Sequence, residues 1–118
     1  MTIYVTTLDE TEPSVTPHKV DVRKVYGSES TDVVVITLQP GESLKKHITP
    51  VDVMFYILEG KGRVIIGDEE VNVEKDSLIQ SPRKVPHMLV NNSDNVFKFM
   101  VIKMLTTGDG TDTKTRIL

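Results

Sequence analysis

Apolar residues recur along the chain in short clusters rich in Val, Ile, Phe and Tyr, broken by Gly, Pro, Asn and Asp. No stretch carries the three-to-four-residue spacing of a long amphipathic helix. The clusters predict strands over Val20–Tyr26, Asp32–Leu38, Ser43–Ile48, Asp52–Gly60, Gly62–Gly67, Glu70–Glu74, Ser77–Ser81, His87–Asn92 and Val96–Leu105. Turn residues lie between them: Pro40-Gly41, Gly60-Lys61-Gly62, Gly67-Asp68 and Asn91-Asn92. Many short strands of even spacing predict an all-β chain, an antiparallel sandwich or barrel.

The alternation within the strands adds a second expectation. Val53, Phe55 and Ile57 fall on one face of Asp52–Gly60, and Met54, Tyr56 and Leu58 on the other. An antiparallel sheet with one wet face alternates apolar and polar. Here both faces are apolar, so the outer one needs a cover. A second copy of the chain is the expected cover, which makes a homodimer; the alternative is that a terminal strand and the second sheet cover everything.

Bulk properties narrow the setting. With 118 residues and 38% hydrophobic content, the chain suits one domain with one packed core, residues 1–118, with about 1–16 and 106–118 loosely held. The net charge is −3 and the Lys and Arg residues are scattered, which argues against nucleic acid as a partner. The absence of cysteine removes disulfides and thiolate metal sites. No apolar run approaches the roughly 20 residues of a membrane span, and no signal pattern opens the chain. A soluble cytoplasmic protein without membrane contact is the expectation.

The candidate chemistry is two histidines forty residues apart, each beside a turn. His47 follows Gly41 by six residues in "GESLKKH", and Gly60 closes "YILEG" thirteen residues later. His87 lies in "SPRKVPHMLVN", with Pro82 ahead and Asn91 behind. Two imidazoles brought together across a barrel make half of a metal cage. His18 reads as a surface histidine. Lys45, Lys46, Arg83 and Lys84 read as solvated strand edges.

These spacings resemble the two motifs of the cupins. The first motif runs Gly, five residues, His, one residue, His, three or four residues, Glu, six residues, Gly; Gly41, His47 and Gly60 match it. The second ends Pro, one residue, Gly, two residues, His, three residues, Asn; Pro82, His87 and Asn91 match it. The resemblance covers about residues 33–104. It implies an antiparallel jelly-roll β-barrel, the cupin double-stranded β-helix, with an interior pocket formed by His47, Thr49, Val53, Phe55 and His87. In the family, three His and one Glu hold a divalent metal. Here Thr49 stands at the second His position and Val53 at the Glu position, while Asp76 and Lys84 replace glycines of the second motif. His47 and His87 remain as metal ligands, with Asp52 as a third candidate. The implied cofactor is a divalent metal (Zn, Ni, Fe or Mn) on an incomplete site. The expected function is that of a small-molecule-binding barrel. The alternatives are a metal-dependent oxygenase, isomerase or decarboxylase of a small polar metabolite, and a metal-free acid–base enzyme using one of the two histidines.

Overall fold

The computed structural model describes residues 2–14 and 19–105. His18 and residues 106–118 lie outside that set. Apart from a short 3-10 turn at Leu8–Glu10, the described chain is built of strands: β1 (Asp21–Gly27), β2 (Thr31–Leu38), β3 (Ser43–His47), β4 (Asp52–Glu59), β5 (Lys61–Ile66), β6 (Glu69–Glu74), β7 (Leu78–Ser81), β8 (His87–Val90) and β9 (Phe97–Met104). All nine expected strands are present, with ends shifted by a residue or two. No helix among the described residues is long and apolar enough to cross a membrane.

The strands form two antiparallel sheets, one of order β1-β2-β9-β4-β7 and one of order β3-β8-β5-β6. From β3 onward, most connections carry the chain from one sheet to the other. Strands distant in sequence therefore become neighbours, as in the jelly roll that the resemblance implies. The core lies between the sheets. Val34, Ile36 and Leu38 of β2, Val53, Phe55 and Ile57 of β4, and Phe97, Phe99 and Val101 of β9 face Leu44, Val64, Val73 and Leu89 of the other sheet. The period-two alternation of β-branched and aromatic residues fixes the register, because a one-residue slip would turn this whole set to the outside.

The outer face of the larger sheet carries the partly buried Met54, Tyr56 and Leu58. The chain's own N-terminal segment lies over a neighbouring part of the molecule. The Tyr4 ring meets Tyr26 edge-on at 5.8 Å, and the Arg23 guanidinium donates to the carbonyls of Leu8 and Thr11 at 3.0 and 3.1 Å.

Two turns explain what became of the missing motif glycines. Asp76 and Lys84 keep the left-handed backbone, with φ of 70° and 65°. The turn geometry has persisted although its glycines have not. A side chain in that region costs about 1–2 kcal/mol, against about 0.5–1 kcal/mol of extra chain entropy for glycine. Lys84→Gly is therefore expected to stabilise the fold by about 0.5–1 kcal/mol, because the bond from the Lys84 amide to the Thr49 carbonyl (2.9 Å) is retained. A thermal melt checks this; a lower midpoint would show that the lysine side chain contributes more than its backbone strain removes. Asp76 is a poorer test site, since its carboxylate accepts a hydrogen bond from the Tyr56 hydroxyl at 3.0 Å.

Candidate functional site

His47 closes β3 and His87 opens β8, and the two are direct partners in the antiparallel ladder. The sequence reading has them meeting across the barrel. They are instead neighbours within the four-stranded sheet. The intervening strands make a full circuit through both sheets and return the chain to the same ladder.

Strict alternation would put Leu44 and His47 on opposite faces of β3, since they are three residues apart. Both nonetheless line the same cavity. The ladder shifts register between them, and the two intervening residues, Lys45 and Lys46, are exposed. This irregularity re-aims His47 inward, a common use of a bulge beside a site. The ring is held there by a 2.9 Å bond between His47 Nδ1 and the Lys45 carbonyl.

The two imidazoles meet edge to face, with Nε2 to Nε2 at 3.1 Å. On its other side, His87 Nδ1 lies 2.9 Å from the hydroxyl of the buried Ser81. Partner chemistry assigns the protons of the neutral pair. A carbonyl oxygen only accepts, so His47 Nδ1 carries the hydrogen and its Nε2 offers a lone pair. His87 Nε2–H then donates to it, and His87 Nδ1 accepts from Ser81 Oγ–H. The result is a directed chain of hydrogen bonds from Ser81 through His87 and His47 to the Lys45 carbonyl. A proton arriving at His47 Nε2 reverses the inner links, because Ser81 Oγ can equally accept from His87 Nδ1–H.

His87 is 2% exposed, and the Phe55 ring packs edge-on against it at 5.2 Å. Burial pushes its pKa down to about 4, and the charges of His47 and Lys103 add to the effect. Between the unfolded value near 6.5 and the folded value of about 4, the unfolded chain takes up a proton that the native ring refuses. Acid therefore favours unfolding across this window, and the contribution is complete above pH 6.5. Stability is expected to fall by about 2–3 kcal/mol on going from about pH 6.5 to about pH 4 through this group alone. Denaturant melts of the protein and of His87→Gln at a series of pH values measure it; parallel curves would mean that His87 is not the titrating group.

The cavity beside the pair has a volume of about 250 Å³ and is lined by Val22, Val34, Ile36, Leu44, Val53, Phe55 and Val101, together with His47, Thr49, His87 and Lys103. All five residues expected at a pocket thus border one space. The Thr49 hydroxyl is committed to the Val51 carbonyl at 3.1 Å.

Asp52, the expected third ligand, is directed elsewhere. Its carboxylate accepts from the Arg83 amide at 2.8 Å and from the Arg83 guanidinium at 3.2 Å. It alternates with the inward Val53, so its side chain leaves the barrel on the opposite face. Arg83, expected to be a solvated edge, is the other half of this pair. No group of three His, Cys, Asp or Glu among the described residues is arranged to hold a metal ion. Two imidazole nitrogens bound to one ion at the usual distance of about 2.0–2.1 Å lie about 3.0–3.4 Å apart, and the observed 3.1 Å suits that. The donor set therefore supplies two of the family's four ligands and does not fit the complete centre.

Asn91, the last residue of the second motif, has a structural task. Fully buried, it donates to the carbonyls of Leu38 and Asn95 at 2.9 and 2.8 Å and accepts from the Ser93 amide at 3.0 Å. It ties the end of β2 to the turn between β8 and β9.

Two site residues escape the sequence reading. Ser81 carries no motif that marks it. Lys103 has a signal: in β9 it shares parity with the buried Phe97, Phe99 and Val101. A lysine on the inward side of a central strand is an anomaly readable from alternation alone.

With the geometry in place, comparison with known proteins gives the family. Residues 34–103, more than half of the chain, match the cupin domain, and the chain belongs to that family. Its fold is similar to that of TT1209 from Thermus thermophilus, with 25% identity, a TM-score of 0.75, and coverage of 86% of this chain and 97% of the other. It is also similar to a predicted oxalate decarboxylase from Thermotoga maritima, with 17% identity, a TM-score of 0.78, and coverage of 86% and 99%. A third likeness is to the polyketide cyclase RemF from Streptomyces resistomycificus, at 18% identity and a TM-score of 0.77, covering 88% of this chain and 80% of the other. The last two show the fold alone. No protein with a curated description matches.

Proposed function

We propose that the protein binds a small molecule in the cavity between its two sheets, with the His47–His87 pair as the hydrogen-bonding end of the site. The observation that carries this reading is the cavity of about 250 Å³ whose largely apolar wall carries the two facing imidazoles. That volume exceeds the roughly 150 Å³ that takes up a benzene-sized molecule and falls short of the roughly 300 Å³ at which drug-sized sites begin. A few convergent polar groups in an apolar recess give a ligand its orientation. A polar group that enters between the rings replaces the Nε2–Nε2 bond, and then meets a donor on His87 and an acceptor on His47.

A metal-dependent oxygenase, isomerase or decarboxylase is less well supported, since the position of the family's carboxylate is held by Val53 and Asp52 serves Arg83. Proton transfer by the histidine chain remains compatible with binding and would act on whatever the cavity holds.

The test is a nuclear magnetic resonance screen of small fragments against the isotope-labelled chain. Binders are expected to move the resonances of Leu44, His47, Val53 and Val101 together. Val34→Phe, which fills the cavity from β2, is expected to abolish those shifts while the spectrum stays dispersed. Fragments that bind only elsewhere, or that bind the filled variant equally well, would remove this reading.

A further inference from the structure

The polar residues of the cavity are unbalanced in charge. Its lining holds Lys103 and two histidines, and no carboxylate. Lys103 has no ion-pair partner among the described residues, although the chain has more acidic than basic residues overall. Its ladder neighbour on β2 is Asp32, and that carboxylate is held by Lys24 at 3.1 Å. A lysine on the inward face of a central strand is costly unless its ammonium reaches water or an anion.

The position of Lys103 is informative. On its other side in the sheet it is paired with Val53, the residue standing where the family has its metal-binding Glu. The first motif lacks a carboxylate and an imidazole here, and a lysine stands across the ladder from the position where the carboxylate would be. We propose that Lys103 takes over the electrostatic task of the absent metal, and that the ligand is a small organic acid with one carboxylate and an apolar body.

Both halves of that description follow from the walls. One cation matches one anionic group, and an oxygen of that group placed between the rings would take the His87 Nε2–H in place of His47. Val22, Val34, Ile36, Phe55 and Val101 leave the rest of the ligand an apolar environment.

This inference rests on the binding reading above, and the experiment separates the two. Benzoate and its uncharged counterpart benzyl alcohol are titrated into the tag-free protein and followed by the resonances of the cavity residues. Benzoate is expected to bind at least about tenfold more tightly, the usual scale for a charge-assisted hydrogen bond. EDTA is expected to leave its affinity unchanged. Lys103→Met should remove the preference for benzoate over benzyl alcohol, and Lys103→Arg should restore that preference in part. Equal binding of the two probes by the unaltered protein would overturn the inference and leave the binding reading intact. Loss of benzoate binding on adding EDTA would assign the charge to a metal ion instead and overturn it too. Failure of both probes to reach the cavity would count against both readings.

Discussion

Gly60→Ala is expected to destabilise the protein by about 3 kcal/mol or more, while Gly41→Ala costs only about 1–2 kcal/mol. Both glycines sit in the left-handed region, with φ of 85° and 86°, so the backbone strain added by a side chain is the same. Their surroundings differ. Nothing lies near a methyl group built on Gly41. On Gly60 the same methyl would collide with the carbonyl of Val96, a backbone group with little room to retreat. That collision adds about 1–3 kcal/mol of the overpacking kind. At about 4 °C per kcal/mol for a domain of this size, the melting midpoint should drop by roughly 12 °C or more at Gly60 and by about 4–8 °C at Gly41. Calorimetry on the two variants decides it. Equal drops would mean that the turn after β4 relaxes away from Val96 and that conformation alone makes glycine necessary at both ends of the first motif.

The same contrast shows what sequence spacing carries and what it hides. Gly41, Gly60 and Asn91 are legible because each answers a backbone demand: a left-handed turn, a close approach, or a set of buried main-chain groups. The strands are legible because β-branched and aromatic residues occur in short runs between strong turn residues. The second motif's glycines mislead in the opposite sense, since Asp76 and Lys84 adopt the glycine-like backbone without the glycine. At the site, the spacing selects His47 and His87 but not their relation. A bulge at Lys45 and Lys46 turns His47 inward, and no residue type there announces it. That the histidines share a sheet depends on which strands become neighbours, a matter of connections rather than local pattern. Ser81 is invisible for a similar reason: its importance lies in the 2.9 Å contact with His87, which depends on how β7 is placed. Lys103 was legible all along from the parity of β9.

Rebuilding the family's metal ligands tests how these parts face one another. Thr49→His together with Val53→Glu gives the site four potential ligands in place of two, and is expected to raise Zn affinity by about a hundredfold or more. Both positions border the cavity, and the imidazole nitrogens are already 3.1 Å apart, a spacing that one ion can bridge. Lys103 should oppose the gain in two ways. The new carboxylate would stand directly across the ladder from the ammonium and form an ion pair with it. The ammonium would also repel the incoming ion: a divalent charge at roughly 6 Å loses about 1.4 kcal/mol to it even at the dielectric constant of water, or about tenfold in affinity. Adding Lys103→Met to the double variant is therefore expected to tighten Zn binding by at least another factor of about ten. Isothermal titration of Zn into the parent, double and triple variants gives all three affinities. No gain in the triple variant would show that positions 49 and 53 do not point at the imidazole pair. A double variant as tight as the triple would show that the lysine is directed away from the place where the metal would lie, and would count equally against its role in holding an organic acid.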